Sequence, residues 1–396
     1  MTLLNVAIIN VACASQIIID LTSNVPQRCL QGEKLDFVAS VRWDGTRQPV
    51  EIGWQDITLE EFALRYQQGK LDGIVVPLEA ELGQSTLTTD LLALGVNIDD
   101  VYYPKRLVRQ LETSILDSLD ATDFLRPYCQ ASYLPYLEVH LADHCNLNCR
   151  ACEHYSGLVK TPKFTSFQGF SRDLQRVHDF IEEIGTVRLL GGEPLLNPEI
   201  NKYMILVREQ YPQAHIVIVT NALKLMSMPD NFFRTVREQN VKIGISYYPP
   251  LKGQMENIRK FLDEQKVLYG ISSLVNQFTI KQVLHPHDHP REQFLHCFQA
   301  HCVNLYEGKL AACFLPFTTR YFNAAFGTEL PEDGALDIYD SKLTLERIKL
   351  HLLQPFSRCA YCDKPVPIMW SRIHKPSILS DWVLDEKDGQ SQRGDA

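Results

Sequence analysis

Residues 145 to 152, "CNLNCRAC", decide how the rest of the chain is interpreted, because they place three cysteines within eight residues. Three thiols this close suit a disulfide with one thiol left over, a zinc site or an iron–sulfur site. They follow the apolar segment "YLEVHL" (residues 136–141), which predicts a buried strand. The cysteines therefore stand at the carboxyl end of a predicted strand, where α/β barrels carry their active sites.

Composition limits the class of protein. The chain has 396 residues, of which 45% are hydrophobic and 22% charged, values typical of a globular protein of two or three domains without a membrane span. A net charge of −9 lacks the basic footprint of a duplex-binding protein, so neither nucleic acid nor a membrane is an expected partner. The apolar N-terminus has no basic leading segment, and we predict a cytoplasmic protein.

Eleven cysteines in a reducing compartment do not indicate a disulfide framework. Clustered cysteines then point to metal binding, whereas the scattered Cys13, Cys29 and Cys129 are predicted to be small buried hydrophobic residues.

Strand and helix patterns alternate along the chain, which predicts an α/β fold with parallel sheets. Residues 1–126 are predicted to form a Rossmann-like domain for substrate recognition. A helix over residues 103–128, ending near Pro127, is predicted to connect it to the next domain. No glycine-rich phosphate loop follows its first strand, "LLNVAIIN". Residues 127–290 repeat strand and helix at the length of a partial (β/α)6 TIM-like barrel. Residues 291–384 form a cysteine-rich domain, and 385–396 are predicted to be a flexible polar tail.

The loop C-x3-C-x2-C after the first barrel strand is similar to the defining loop of the radical S-adenosylmethionine (radical SAM) enzymes. A second motif, "LLGGEPLLNPEI" (residues 189–200), resembles the GGEP element of the same superfamily and ends the next predicted strand. The resemblance implies that Cys145, Cys149 and Cys152 hold a [4Fe-4S] cluster with one open iron. It also implies that Gly191, Gly192 and Glu193 contact the amino group of S-adenosylmethionine.

Weaker motifs stand at the ends of the next two strands. In relatives, the positions of Thr220, Asn221 and Ser246 hydrogen-bond the ribose and carboxylate of S-adenosylmethionine, although such residues are as often helix caps or turn formers. The chain departs from the family pattern at Ala151, where an aromatic residue normally packs against the adenine. Tyr155 or His154 is the candidate replacement.

A second group of cysteines follows the predicted barrel: Cys297, Cys302, Cys313, Cys359 and Cys362. "LYEGKLAAC" (residues 305–313) predicts a hairpin with its turn at Glu307 and Gly308. The spacing resembles the auxiliary-cluster domain of radical SAM enzymes, in the short twitch form rather than the longer SPASM form. That resemblance implies a second [4Fe-4S] cluster held by Cys297, Cys313, Cys359 and Cys362. A zinc site with four thiolates is the alternative.

Cys302 is left over from this set. It is interpreted as an inert buried thiol, as a substitute ligand for Cys297, or as a catalytic hydrogen-atom donor to a substrate radical. A run of histidines lies close by in the sequence, at His285, His287, His289, His296 and His301. These side chains are predicted to be surface loop residues in preference to proton acceptors in a substrate pocket.

The resemblance implies that S-adenosylmethionine is cleaved to a 5′-deoxyadenosyl radical, which abstracts hydrogen from a small-molecule substrate. The cysteine spacing resembles that of aminocyclitol dehydrogenases in the superfamily, so a carbohydrate-type substrate, free or nucleotide-linked, is predicted to undergo dehydrogenation or epimerisation. A flavodoxin or ferredoxin is the expected reductase. The alternatives are a maturase of ribosomally synthesised peptides and a metal-stapled binding protein without enzymatic activity.

Overall fold

The structure is a computed structural model. It describes residues 3–9, 11, 14–15, 18–19, 22, 27, 30, 33–43, 55–81, 86–105 and 124–384. The chain divides into two compact units. The first contains residues 1–135, 180–185 and 343–353, and the second contains 136–179, 186–342 and 354–396. The predicted boundary between a barrel and an auxiliary domain thus stays a prediction. No helix among the described residues is long and apolar enough to cross a bilayer.

Strands make up the centre of both units. In chain order they are β1 (Leu3–Ile9), β2 (Lys34–Arg42), β3 (Gln55–Thr58), β4 (Gly73–Val75), β5 (Val101–Pro104), β6 (Leu125–Pro127), β7 (Tyr133–Ala142), β8 (Glu183–Gly191), β9 (His215–Thr220), β10 (Lys242–Ile245), β11 (Leu268–Ile271), β12 (Gln277–Gln282), β13 (Asn304–Tyr306), β14 (Lys309–Ala311), β15 (Leu336–Asp337) and β16 (Cys362–Met369).

Helices connect many of these strands. The α-helices are α1 (Leu59–Gln67), α2 (Leu87–Ala93), α3 (Phe167–His178), α4 (Ile200–Gln210), α5 (Asp230–Glu238), α6 (Met255–Glu264), α7 (Pro290–Leu295), α8 (Leu315–Phe326) and α9 (Leu345–His351). The helical pattern of residues 170–185 predicts a helix that ends at Gly185, and this end is wrong. The helix α3 ends at His178, and β8 already begins at Glu183.

The first unit contains a six-stranded sheet in the order β3-β2-β1-β4-β5-β6. Neighbouring strands from β3 to β5 are parallel, and β6 is antiparallel to β5. The first five strands thus have the order of a Rossmann fold, which confirms the predicted Rossmann-like architecture. The predicted helix over 103–128 is wrong at both ends, which lie in β5 and β6, where extended backbone pairs across the sheet edge. Its middle, 106–123, lies outside the described residues, as do Cys13, Cys29 and the tail.

The second unit contains an eight-stranded sheet in the order β11-β10-β9-β8-β7-β13-β14-β15. Strands β8 to β11 run parallel, and β13 runs parallel to β7. The predicted α/β class with a parallel-sheet core is confirmed. Among the described strands the sheet is open, which is compatible with the predicted partial barrel. Side chains alternate along β7, so that Leu137, Val139 and Leu141 point to one face while Glu138 and His140 point to the other.

The two segments after the parallel strands differ in how well the sequence predicts them. β13 and β14 form the predicted hairpin, and Glu307 and Gly308 at its turn both have positive φ, at 46° and 76°. β12 was assigned to the barrel, and that assignment is wrong. It pairs antiparallel with β16 in a separate two-stranded sheet, while β11, which the sequence did not reveal, occupies the sheet edge. Alternation predicts a strand but not its partner.

Candidate cofactor site

The three-cysteine loop begins directly after β7, and a later segment of the same unit fixes its backbone. The amides of Arg150 and Ala151 donate to the carbonyls of Ser371 and Asp381, at 2.9 and 3.1 Å. The amide of Ile373 in turn donates to the Asn148 carbonyl at 2.7 Å. These hydrogen bonds hold the loop between its sheet and the chain that follows β16.

Burial dominates the electrostatics of the loop thiols. It raises the pKa of Cys145 and of Cys149 to about 12, and the neighbouring thiol of Cys152 adds to both effects. Burial also raises the pKa of Cys152. Burial therefore keeps these thiols protonated unless a cation is bound, and a metal site would stabilise their thiolate forms.

The spacing of the sulfur atoms bears on the kind of metal. Among the described residues, Glu138, His140 and His154 are the group whose ligand atoms all lie within 4.8 Å of one another, and no three cysteines meet that limit. Tetrahedral zinc would hold its thiolates about 3.8 Å apart. A four-iron cluster binds each thiolate at a different corner and needs wider spacing. The choice between an iron–sulfur cluster and zinc for the four-cysteine set stays a prediction.

Gly191 and Gly192 are required for a close approach between the end of β8 and the cysteine loop. A Cβ atom on Gly191 would lie 2.2 Å from the Ala142 carbonyl oxygen, and one on Gly192 would lie 2.2 Å from that of His144. Gly191 also has a φ of 134°. Because neither glycine has a side chain, the two backbones come close enough for the Gly192 amide to donate to the Ala142 carbonyl at 2.7 Å. The double glycine thus joins the two motifs through their backbones.

Glu193 is fully buried, and its carboxylate is hydrogen-bonded within the chain. Oε1 accepts from the Leu195 amide at 3.0 Å and the Thr220 hydroxyl at 2.7 Å, and Oε2 accepts from the Asn221 amide at 2.9 Å. Burial raises its pKa to about 7 despite these donors. Acceptor capacity remains mainly on Oε2 for a bound ammonium group.

Asn221 links this carboxylate to the cysteine loop. Its side-chain amide donates to Cys145 Sγ at 3.5 Å and to Asn146 Oδ1 at 2.7 Å, while its backbone amide donates to Glu193. Thr220 and Asn221 are therefore brought together with the first cysteine and the GGEP element. Their contacts in this structure are to the chain itself, and their roles toward a cofactor stay predictions.

Aromatic residues that the sequence analysis missed lie beside the loop. The thiols of all three loop cysteines raise the pKa of Tyr248, although burial is the larger cause. The Tyr248 ring stacks on Trp370, with centroids 6.0 Å apart. Ser246, the residue predicted to bind the cofactor, accepts a backbone hydrogen bond from Tyr248 at 3.0 Å. The signal for Tyr248 was its place two residues after Ser246, at the end of β10.

Tyr155 and His154, the candidate replacements for an aromatic residue at position 151, both pack against other aromatic side chains. Tyr155 donates a hydrogen bond to Gln282 and packs against Phe322 and Trp382, with ring centroids 5.3 and 5.7 Å away. His154 stacks on Phe314 at 4.1 Å. Ala151 itself has a φ of 56° and is buried. An adenine role for any of the three stays a prediction.

The four cysteines predicted to hold an auxiliary cluster line one cavity. They come from distant parts of the second unit, and Lys281, Phe294 and Phe356 complete much of the wall. The cysteines are Cys297, Cys313, Cys359 and Cys362. Burial raises the pKa of Cys359 to about 12 and that of Cys313 well above its usual range. A buried cavity with four thiols suits a fully ligated iron–sulfur cluster.

Lys281 supplies positive charge to this cavity. Burial alone would lower its pKa, but Glu153 and the thiols of Cys297, Cys362 and Cys313 raise it. Its Nζ lies 3.3 Å from Glu153 Oε1. A cation here stabilises thiolates and the anionic cluster that they would hold.

Cys302 lies outside the cavity of the four cysteines. It is buried close enough to Tyr136 and Arg188 for its thiol to raise the pKa of both. This position does not favour its interpretation as a substitute for Cys297. Among the five histidines, His285, His289 and His296 are exposed, as the surface interpretation predicts. His287 is half-buried, with its Nε2 2.9 Å from the Cys362 carbonyl oxygen, and His301 is half-buried.

This chain is similar to the radical SAM enzymes, and the resemblance predicted from its sequence is confirmed. The similarity consists of both motifs, the α/β sheet that carries them and two curated relatives. The chain is 25% identical to GTP 3′,8-cyclase of Campylobacter curvus over 139 residues, 34% of this chain and 40% of the relative. It is 32% identical to molybdenum cofactor biosynthesis protein 1 of Bos taurus over 91 residues, 23% of this chain and 14% of the relative. It thus spans less than half of each relative. No family model matches the chain.

Two solved structures, both complexes with AdoMet, have a partial likeness to this chain. BtrN in complex with AdoMet and 2-DOIA shares 16% identity, with a TM-score of 0.37, 59% of this chain covered and 92% of that one. The enzyme anSMEcpe with bound AdoMet and a peptide shares 18% identity, with a TM-score of 0.29 and coverage of 36% and 43%.

Proposed function

We propose that this protein is a radical SAM enzyme that abstracts hydrogen from a carbohydrate-type substrate, free or nucleotide-linked, and so catalyses a dehydrogenation or an epimerisation. The observation that carries the proposal is the contact of Asn221 with both Cys145 Sγ and the Glu193 carboxylate. That contact connects the cysteine loop and the GGEP element, which the superfamily uses together.

The chain's own residues would hold and position the cofactors. Cys145, Cys149 and Cys152 would bind a [4Fe-4S] cluster, which, when bound, supplies the reductive cleavage of S-adenosylmethionine. Glu193 would accept a hydrogen bond from the amino group of S-adenosylmethionine through Oε2. The ring of Tyr248, close to all three thiols, would exclude water from the cluster.

Cys297, Cys313, Cys359 and Cys362 would bind an auxiliary [4Fe-4S] cluster, which supplies electron transfer. Lys281 would balance its charge. A saturated second cluster suits the net removal of electrons from a substrate, and it supports dehydrogenation. Cys302, buried beside Tyr136 in the second unit, would be the hydrogen-atom donor if the outcome is an epimerisation. A cytoplasmic flavodoxin or ferredoxin would be the reductase.

The choice of a carbohydrate-type substrate over a peptide rests on two features. The cysteine spacing resembles that of aminocyclitol dehydrogenases. In addition, the first unit has the sheet order of a Rossmann fold, whereas peptide-modifying relatives often carry a winged-helix domain at this place. Curated relatives named for GTP agree with a nucleotide-linked substrate.

Anaerobic reconstitution tests the proposal. We expect about eight irons per chain and the formation of 5′-deoxyadenosine from S-adenosylmethionine under reducing conditions. A panel of aminocyclitols, sugars, nucleotide sugars, GTP and peptides should then show which class raises that rate and loses deuterium to 5′-deoxyadenosine. About four irons with one zinc would refute the auxiliary cluster. Faster turnover with peptides alone would favour the maturase, and no 5′-deoxyadenosine would leave a binding protein.

A further inference from the structure

Glu138, His140 and His154 form a compact group inside the second unit and share no residue with either cysteine set. One carboxylate oxygen and one nitrogen of each imidazole all lie within 4.8 Å of one another. Glu138 and His140 are two residues apart on β7, so both side chains project from the same face of the sheet. His154 approaches from the loop after Cys152, and its ring meets that of His140 edge-on, with centroids 5.0 Å apart.

The group is buried and incompletely hydrogen-bonded. Glu138 is 4% exposed and His140 is 2% exposed. The Nε2 atoms of His140 and His154 are both buried without a hydrogen-bond partner. Leaving a buried polar atom unpaired costs about 1–3 kcal/mol, so two such atoms in one group require an explanation. A shared ligand would satisfy both.

Neighbouring side chains orient the carboxylate. The Tyr136 hydroxyl donates to Glu138 Oε1 at 2.6 Å, and Arg188 Nη1 donates to that hydroxyl at 2.8 Å. On the other side, Phe314 stacks against the His154 ring. Partners that fix the orientation of ligating residues are typical of protein metal sites.

We propose that Glu138, His140 and His154 bind one divalent transition-metal ion, with a coordination position left open for an oxygen donor. Two imidazoles and one carboxylate are a ligand set that zinc sites use when a fourth position serves water or substrate. The same set also suits iron(II). The ligands contain no sulfur, which distinguishes this site from the iron–sulfur sites by its chemistry.

Such an ion would act as a Lewis acid toward a hydroxyl or carboxylate oxygen in its open position. Ionised Glu138 would partly balance its charge. The proposal does not rest on the proposed function, because metal binding can be measured without turnover.

The test uses zinc as the probe on the full chain after anaerobic iron–sulfur reconstitution. The protein is incubated with Zn²⁺ and passed through a desalting column, and its zinc is counted and examined by X-ray absorption. We expect about one zinc per chain, with nitrogen and oxygen ligands at about 2.0–2.2 Å and no sulfur at about 2.3 Å. His140→Ala and Glu138→Gln should each weaken zinc binding at least about tenfold.

His178→Ala is the matched control, because His178 lies on α3 against Tyr211 and should leave zinc binding unchanged. Iron content and circular dichroism of the same samples verify folding, and Glu138→Gln keeps the side-chain volume if His140→Ala is unstable. Three results would overturn the proposal. They are less than about 0.2 zinc per chain, zinc with sulfur ligands, and unchanged zinc affinity in a folded Glu138→Gln protein.

Discussion

Asn221 forms hydrogen bonds to both motifs of the cofactor site, the cysteine loop and the GGEP element. Its side-chain amide donates to Cys145 Sγ and Asn146 Oδ1, and its own Oδ1 accepts from the Leu223 amide at 3.0 Å. A donor beside a thiolate stabilises the charged form of the sulfur. These hydrogen bonds within the chain already explain why an asparagine stands at position 221, without any contact to a cofactor.

Replacing Asn221 with Asp should weaken the first cluster. The substitution puts a carboxylate where an amide donated to Cys145, and two anions in a buried site repel each other. We expect iron content to fall from about eight toward about four per chain, and 5′-deoxyadenosine formation to fall at least about tenfold. Asn231→Asp, on the exposed start of α5, is the control. Full iron content in Asn221→Asp would contradict this account.

Glu193 should give the apoprotein a pH-dependent stability. Burial raises its pKa from 4.5 to about 7 in the folded state. Between these values the folded protein keeps a proton that the unfolded chain has lost, so the free energy of unfolding decreases as pH rises, by about 3 kcal/mol in total. Its contribution is fully present below pH 4.5 and is lost through about pH 7.

Urea unfolding at several pH values measures this effect. Glu193→Gln cannot titrate, so its stability should change less than that of the natural protein between pH 5 and pH 8. The variant should also be less stable at each pH, because an amide nitrogen would face a backbone donor. An identical pH slope in both proteins would assign the effect to another group.

β7 and β8 carry the site because their carboxyl ends meet at the same edge of the sheet. The meeting depends on the absence of side chains at positions 191 and 192, where backbone carbonyls occupy the space of a Cβ. Neighbouring backbone cannot move aside as a flexible side chain can. The constraint therefore belongs to the pair of strands and not to one residue.

Gly191→Ala and Gly192→Ala should each destabilise the protein by about 3 kcal/mol or more, from steric overlap and, at Gly191, from positive φ. Gly253→Ala is the matched control, because a Cβ there meets no atom within 4 Å. The urea midpoint of the apoprotein is the measurement. Midpoints equal to that of Gly253→Ala would show that the strand ends can separate without cost.

The two cysteine sets should behave independently in the whole molecule. We expect Cys313→Ala to reduce iron to about four per chain while 5′-deoxyadenosine still forms, because the first loop stays intact. Cys149→Ala should also leave about four irons but abolish 5′-deoxyadenosine. Cys129→Ala and Cys302→Ala should keep about eight irons, since neither thiol lines the four-cysteine cavity. Loss of iron in the Cys302→Ala protein would indicate that Cys302 is a cluster ligand.

Periodicity and turn chemistry predicted much of the fold. β1, β2, β7 to β10 and the turn of the β13–β14 hairpin follow from runs of apolar residues and from Glu307 and Gly308. Most of the missed strands are short. β3, β5, β6 and β11 are three or four residues long and give a weak periodic pattern, although the equally short β10 was predicted, and β12 was predicted as a strand without its true partner.

The sequence by itself determined the chemistry of the cysteine loop and the GGEP element, because ligand identity and spacing are local properties of the chain. Only the tertiary structure decided which distant groups meet. It brought Cys297, Cys313, Cys359 and Cys362 to one cavity and separated Cys302 from them. It also gathered Glu138, His140 and His154, whose proximity has no sequence signal because a loop residue meets strand side chains only after the sheet has formed.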